Sequence, residues 1–320
     1  MSNTIFNISQ SKFGKQASLT LRNNNTNEFV TILPETGAMI LNLSLQVDNK
    51  LTSLLDTYAD EKELNNTLTS SFKGSFLFPF PNRIDAGTYS VENHKHQLDI
   101  NFPDENNAIH GLVFDKPFNI TNEQSTATEA SVELSFKADG SLTGYPYKFE
   151  VTVTYTLNKD GLSIKSTAKN IDTCTIPVGF GWHPYFALGD TVTKIDVSFP
   201  STHSFDVDER MLPTTKQAYT DFNTHRNLGN TSFDTCFAFE PAAGKAETKI
   251  TLNESGKGIS VWQEKGAEGN NFVQIYTPGH RKSIAIEPMT CIANAFNNEI
   301  GLILLKPGQT TSNFWGVAKI

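Results

Sequence analysis

The sequence predicts an all-β protein, a large antiparallel β-sandwich or barrel. Three observations carry that expectation. Apolar and polar residues alternate with period two over residues 149–157 and again over 162–168, on either side of the turn Asn158-Lys159-Asp160-Gly161. This is the mark of a hairpin with one buried face, because successive side chains on a strand point to opposite sides. Many short stretches of similar pattern recur along the chain, separated by Asn, Gly, Asp and Pro turns. Helical periodicity, by contrast, is scarce.

In chain order, strands are expected at residues 30–33, 96–102, 132–138, 149–157, 162–168 and 195–199. Residues 249–252 pair with 259–262 across a Gly-containing turn, and 272–276, 283–286 and 302–305 complete the set. Residues 54–64 read as a short helix or a structured loop. Strand signals run from near residue 28 to near residue 317 without a low-complexity linker, which favours one domain over residues 1–320. All-β sandwiches and barrels routinely exceed the usual domain length as single units.

Composition narrows the function classes. Hydrophobic content of 38% and charged content of 19% describe a globular chain. A net charge of −8 gives no electrostatic reason to bind nucleic acid or an anionic membrane. No apolar run of about 18 residues is present, so no membrane-spanning helix is expected. Residues 1–18 lack a continuous apolar stretch, so no signal peptide is read there. Cys174, Cys236 and Cys291 are widely spaced and form no C-x-x-C pair, which fits free thiols in a reducing, cytoplasmic setting.

Six segments hold residues suited to chemistry. In Phe180-Gly181-Trp182-His183-Pro184-Tyr185-Phe186, His183 lies among aromatic rings, where it can exchange a proton near neutral pH or serve as a bonded core residue. Phe78-Pro79-Phe80-Pro81-Asn82-Arg83-Ile84 presents Asn82 and Arg83 after two prolines. Their donors and acceptors suit hydroxyl groups, although a surface ion pair would also explain the Arg. In Asn107-Ala108-Ile109-His110-Gly111, the glycine permits a turn that can push His110 into a cleft or leave it solvated. His94 and His96 flank a tight turn and read as surface residues. Asp234 sits between aromatics, and a hydroxyl-binding and a turn role both suit it. Glu287 ends an apolar run just before Pro288, where partial burial would raise its pKa toward that of a useful general base. His110 and His183 do not follow an H-x-H or H-E-x-x-H spacing, so no metal and no cofactor is expected.

Together these segments resemble the aldose 1-epimerase (mutarotase) family. The resemblance is carried by Asn82-Arg83-Ile84, Asn107 to Gly111, Gly181 to Phe186, Phe233-Asp234, Val273 to Thr277, Ile286-Glu287-Pro288 and the closing Lys306-Pro307-Gly308, all in the family's order. It implies a large antiparallel β-sandwich of the galactose mutarotase type with an open cleft on one sheet face. It implies His183 as general acid and Glu287 as general base, flanking the sugar. It implies that Arg83, His110 and Asp234 bind the substrate, with Asn82 and Gln274 in support.

The expected reaction interconverts the α and β anomers of a free aldose such as galactose or glucose. Two departures bear on the substrate: Ala187-Leu188 follows His-Pro-Tyr-Phe where the galactose branch has Asn-Leu, and the lead-in to Asn82 is Phe-Pro-Phe-Pro. A hexose-6-phosphate mutarotase is the first alternative, and Lys73, Arg281 and Lys282 are the basic residues it would draw on. A non-catalytic carbohydrate-binding protein is the second. The expected partner is a small-molecule sugar, with no nucleic acid or membrane, and the chain is expected as a monomer or homodimer.

Overall fold

The computed structural model describes residues 4–320. Strands dominate it, and two large antiparallel sheets form its body. The nine-stranded sheet runs in the order Asn119–Ser125, Glu129–Asp139, Lys148–Asn158, Gly161–Asn170, Thr310–Lys319, Gly258–Lys265, Gly244–Leu252, Ile195–Ser198, Arg226–Asn227. The expected hairpin lies within it, with Tyr155 opposite Ile164 and Asn158 opposite Gly161. Phe149, Val151, Val153, Tyr155 and Leu157 are all buried, as their alternation requires. Each such side chain contributes about 1.5–3 kcal/mol of apolar burial.

The eight-stranded sheet carries the order Pro213–Ala218, Ser201–Val207, Asp234–Phe239, Phe272–Tyr276, Ile284–Met289, Gly181–His183, Ser75–Leu77, with Tyr185–Phe186 also paired to Ile284–Met289. Its strands alternate cleanly. Phe237, Phe239, Val273, Ile275, Ile284 and Ile286 point into the main core shared with the nine-stranded sheet. Ring contacts such as Phe76 with Trp315 and Phe78 with Phe149 bridge the two sheets. The intervening residues Asp234, Cys236, Gln274, Tyr276 and Glu287 therefore face the other way. A five-stranded meander, Phe6–Phe13 through Lys50–Ser53, packs on this body, and the Tyr155 hydroxyl donates to the Ala38 carbonyl at 2.6 Å.

Several boundaries differ from the sequence reading, each for a local reason. The helix spans Glu61–Ser71 rather than 54–64. Leu54 and Leu55 are taken up by sheet pairing, through Leu54 N–H to Leu43 O and a bridge from Leu55 to Phe186. The helix then begins only after Asp60, whose carboxylate accepts from Glu63 N–H at 2.8 Å. The expected strand at 96–102 is instead His94–Gln97, paired with Thr88–Val91, and Leu98 N–H to Gly87 O carries that register one step further. His94 is exposed, but His96 is half-buried, stacked on Tyr89 and 2.9 Å from the Tyr147 hydroxyl. Cys236 and Cys291 are buried, Cys174 is half-buried, and all three are free. No helix among the described residues is long and apolar enough to cross a membrane.

Candidate active site

Glu287 lies inside the strand Ile284–Met289, not at its end. Its neighbour on one side is Gln274, directly opposite in the Phe272–Tyr276 strand. On the other side the partner chain is interrupted at Pro184. Gly181 pairs with Met289 and Tyr185 with Ala285, so the same register brings His183 opposite Glu287. The proline breaks the strand there, and both side chains are turned to the outer sheet face. A row of side chains thus crosses the sheet in the order Phe205, Cys236, Gln274, Glu287, His183, Ser75.

The outer face opens into a cavity of about 260 Å³. Asn82, Arg83, His110, His183, Asp234, Gln274 and Glu287 all line it, although they come from segments spread over 206 positions of the chain. Phe72, Tyr185 and Tyr276 supply aromatic wall. The His183 ring stacks on Tyr185 at 5.0 Å and meets His110 edge-on at 4.9 Å.

His110 reaches the cavity through left-handed backbone. Its φ is +63°, and that of Gly111 is +79°. A Cβ on Gly111 would lie 2.3 Å from the Phe78 carbonyl oxygen, so only glycine fits. Asn82, also left-handed, donates its N–H to His110 Nδ1 at 3.2 Å and accepts the His110 N–H at its carbonyl at 2.9 Å. With Nδ1 an acceptor, the remaining proton of a neutral imidazole sits on Nε2. Burial pushes the His110 pKa well down, helped by His183 and Arg83.

Arg83 is held by two partners. Its Nε and Nη2 clasp the Glu105 carboxylate, the latter at 3.0 Å, and its Nη1 donates to Asn82 Oδ1 at 3.1 Å. Gln274 links the row to the rest, donating to Asp234 Oδ1 at 2.8 Å and accepting from Asn82 Nδ2 at 3.4 Å. Asp234 is exposed and lines the cavity. Partial burial of its carboxyl raises its pKa, while Arg83 and the Gln274 bond oppose the rise.

His183 Nε2 and Glu287 Oε1 lie 3.5 Å apart, and both residues are buried. Burial drives the His183 pKa down to about 3, with Arg83 adding to the fall. Burial likewise raises the Glu287 pKa well above the carboxylate range. Asp234 reinforces this and Arg83 opposes it. A separation of 3.5 Å is too long for a strong charge-assisted bond, so the neutral form of each is favoured and the pair holds one proton, on the carboxyl. Glu287 Oε2 and His183 Nδ1 have no hydrogen-bond partner among the described residues. Unfilled buried polar atoms in a cavity are what an incoming ligand satisfies.

The basic residues weighed for a phosphate lie elsewhere. Lys73 is bound to Asp56 at 2.6 Å. Arg281 donates to Ser232 Oγ and to the carbonyls of Gly229 and Thr231, while Lys282 is exposed. None of the three lines the cavity, whose one Lys or Arg among the described residues is Arg83.

Sequence reasoning missed Glu105 and the residue that braces it. Arg210 donates to the carbonyls of Glu105 and Asn106 and to Asn107 Oδ1, each at 2.9 Å, and pairs with Asp85 at 2.8 Å. These contacts join loops about 105 positions apart, and nothing local in the sequence marks them.

Comparison with known proteins bears on this arrangement. The family model described as aldose 1-epimerase matches residues 18–315. Protein YihR of Escherichia coli is 32% identical over 254 residues, which cover 76% of this chain and 78% of YihR. Among solved structures, a galactose mutarotase-like protein from Clostridium acetobutylicum superposes with a TM-score of 0.84 at 21% identity, covering 98% of both chains. A galactose 1-epimerase from Lactobacillus acidophilus gives 0.78 at 18% identity over 99% of both.

Proposed function

The chain belongs to the aldose 1-epimerase family, and we propose that it interconverts the α and β anomers of a free aldose. The carrying observation is the buried His183–Glu287 pair, 3.5 Å apart on the wall of a sugar-sized cavity. The two groups stand side by side rather than on either side of a ring. That suits the chemistry, because the anomeric hydroxyl oxygen and the ring oxygen are bonded to the same carbon. An acid and a base that stand side by side can therefore serve both oxygens.

The sequence of transfers is short. Glu287, as carboxylate, takes the proton from the anomeric hydroxyl. The C–O bond to the ring oxygen breaks as the carbonyl forms, and His183, as imidazolium, protonates the ring oxygen. Rotation of the aldehyde presents its other face, and the same transfers run backward. The active ion pair has the same number of protons as the neutral pair of the free site, so substrate entry only relocates one proton. Sugar hydroxyls that fill the partnerless Glu287 Oε2 stabilise the carboxylate. Each positioned transfer supplies about 10²–10⁴-fold.

Arg83, His110 Nε2–H, Asp234, Asn82 and Gln274 are assigned to hydroxyl binding. Arg83 is already neutralised by Glu105, and Asp234 lies close by, which favours an uncharged sugar over a hexose 6-phosphate. A pure binding protein would have no use for an acid–base pair.

Polarimetry of freshly dissolved α-D-glucose and α-D-galactose tests the reading. Relaxation to the anomeric equilibrium should be accelerated by the wild-type protein and not by Glu287→Gln or His183→Asn. Acceleration confined to glucose 6-phosphate would overturn the neutral-sugar assignment. No acceleration of any of the three would remove the enzymatic one.

A further inference from the structure

The row that carries the acid–base pair ends at Ser75, which stands directly opposite His183 in the neighbouring strand. The pair before it, Trp182 with Phe76, points into the main core, so His183 and Ser75 share the outer face. Directly opposite residues carry their Cβ atoms about 4.5–5.5 Å apart, a gap that a serine and an imidazole can span.

Two polar atoms are orphaned at this contact. Ser75 is wholly buried, and its Oγ has no hydrogen-bond partner among the described residues. The same holds for His183 Nδ1. A buried donor or acceptor is costly to leave unpaired, and most such groups in folded proteins find a partner.

The placement of protons says which atom donates. Nε2 takes the Glu287 side of the ring, 3.5 Å from Oε1. Burial leaves the shared proton of the pair on the carboxyl, so Nε2 faces a donor. In a neutral imidazole the nitrogen that faces a donor is the acceptor, and the ring's own hydrogen sits on Nδ1. It stays there when Nε2 takes up the shared proton. The other groups around the ring offer Nδ1 no free acceptor. Arg83 is a cation, His110 meets the ring edge-on, and Tyr185 stacks on its face. The carbonyl of His183 itself favours the protonated ring, but it already accepts from Gly74 N–H at 2.8 Å. A serine Oγ can accept, and it has three staggered positions to choose from.

We propose that Ser75 is a positioning residue: its Oγ turns about χ1 to accept Nδ1–H of His183, which fixes the tautomer whose Nε2 faces Glu287 and the substrate. The catalytic consequence rests on the proposed anomerase reading. Ser75 is not a wall of the cavity, so it acts through His183 and not on the sugar. Its effect falls on the imidazolium, and therefore on kcat rather than on KM.

Ser75→Ala deletes the hydroxyl alone. Polarimetry on α-D-glucose and α-D-galactose reads kcat and KM, urea unfolding reads stability, and proton–nitrogen NMR correlation spectra read the tautomer of His183. The His183 signals are identified by their loss in His183→Asn. The expected fall in kcat is about tenfold or more, the worth of a buried hydrogen bond to a charged group, with KM moved by less than about twofold. The urea midpoint should not fall, because the hydroxyl has no partner to lose in the free protein. The wild-type ring should carry its hydrogen on Nδ1, and the variant should shift toward the Nε2–H form. An unchanged kcat would overturn the assignment, as would a wild-type ring protonated on Nε2. So would a loss of kcat matched by a loss of stability, which marks a structural hydroxyl. If the wild type turns over neither sugar, the anomerase reading falls and the spectra still decide Ser75: a tautomer that shifts in the variant sustains it, and one that does not overturns it.

Discussion

The His183–Glu287 pair makes a prediction about stability that does not depend on turnover. Burial favours the neutral form of both groups. Unfolded, a histidine titrates near 6.5 and a glutamate near 4.5, whereas in the fold His183 lies at about 3 and Glu287 is raised. Above pH 4.5 the two groups pull stability in opposite directions. As pH falls below 6.5, the unfolded imidazole gains a proton that the folded one refuses, so His183 costs stability toward acid. As pH rises above 4.5, the unfolded carboxyl loses a proton that the folded one keeps, so Glu287 costs stability toward neutrality. In the wild type these slopes offset one another.

Single substitutions uncover them. Removing His183 removes the acid-side cost. At about 1.36 kcal/mol per pH unit, two units from 6.5 to 4.5 give His183→Asn a gain over wild type of about 3 kcal/mol as a ceiling. Glu287→Gln should gain over wild type in the opposite sense, increasingly as pH rises from 4.5. Urea unfolding of the three proteins at pH 4.5, 5.5 and 6.5, with a shared m-value, reads both differences. Three parallel pH profiles would refute the shared-proton argument.

Other outcomes follow from the same contacts. His183→Asn and Glu287→Gln should each lower kcat/KM by about 10²–10⁴-fold in the polarimetric assay. Glu105→Ala should raise KM by about five- to tenfold with a smaller change in kcat, since it frees the partly exposed Arg83 guanidinium without touching the acid–base pair. Arg210→Ala should move KM the same way by less, and titrating either variant with sugar by calorimetry separates affinity from turnover. Gly111→Ala should cost about 1–3 kcal/mol in thermal unfolding, from left-handed strain and the contact with the Phe78 carbonyl.

The fold was legible because burial writes itself into alternation. Residues 149–157 and 162–168 show one face to the core and one to solvent, so their period is visible in composition alone. The strand Ile284–Met289 is different, since both its faces are buried and its alternation is between core and cleft. That is why its apolar run reads as ending at Glu287 when the strand continues through Pro288. The helix boundary was hidden because Leu54 and Leu55 satisfy a helical pattern while serving a sheet. His110 was legible through its glycine, a requirement of local backbone geometry. Glu105 and Arg210 were not, because their partners are distant in sequence and any exposed loop offers similar residues.

The sheet's two faces also explain why the site can hold uncomfortable groups. Ile284 and Ile286 anchor the strand from the core side, and Val273 and Ile275 do the same for its neighbour. A register slip of one residue would put Glu287 and Gln274 into that core, so the hydrophobic face fixes where the chemistry points. The apolar packing thereby supplies the free energy that keeps a carboxyl and an imidazole desolvated side by side. Pro184 completes the arrangement by separating the strand Gly181–His183 from Tyr185–Phe186 beside Glu287, while His183 stays paired with Ser75 on its other side. Stability and reactivity are thus written on alternate residues of the same strands, and their demands meet only at the pair in the middle of the row.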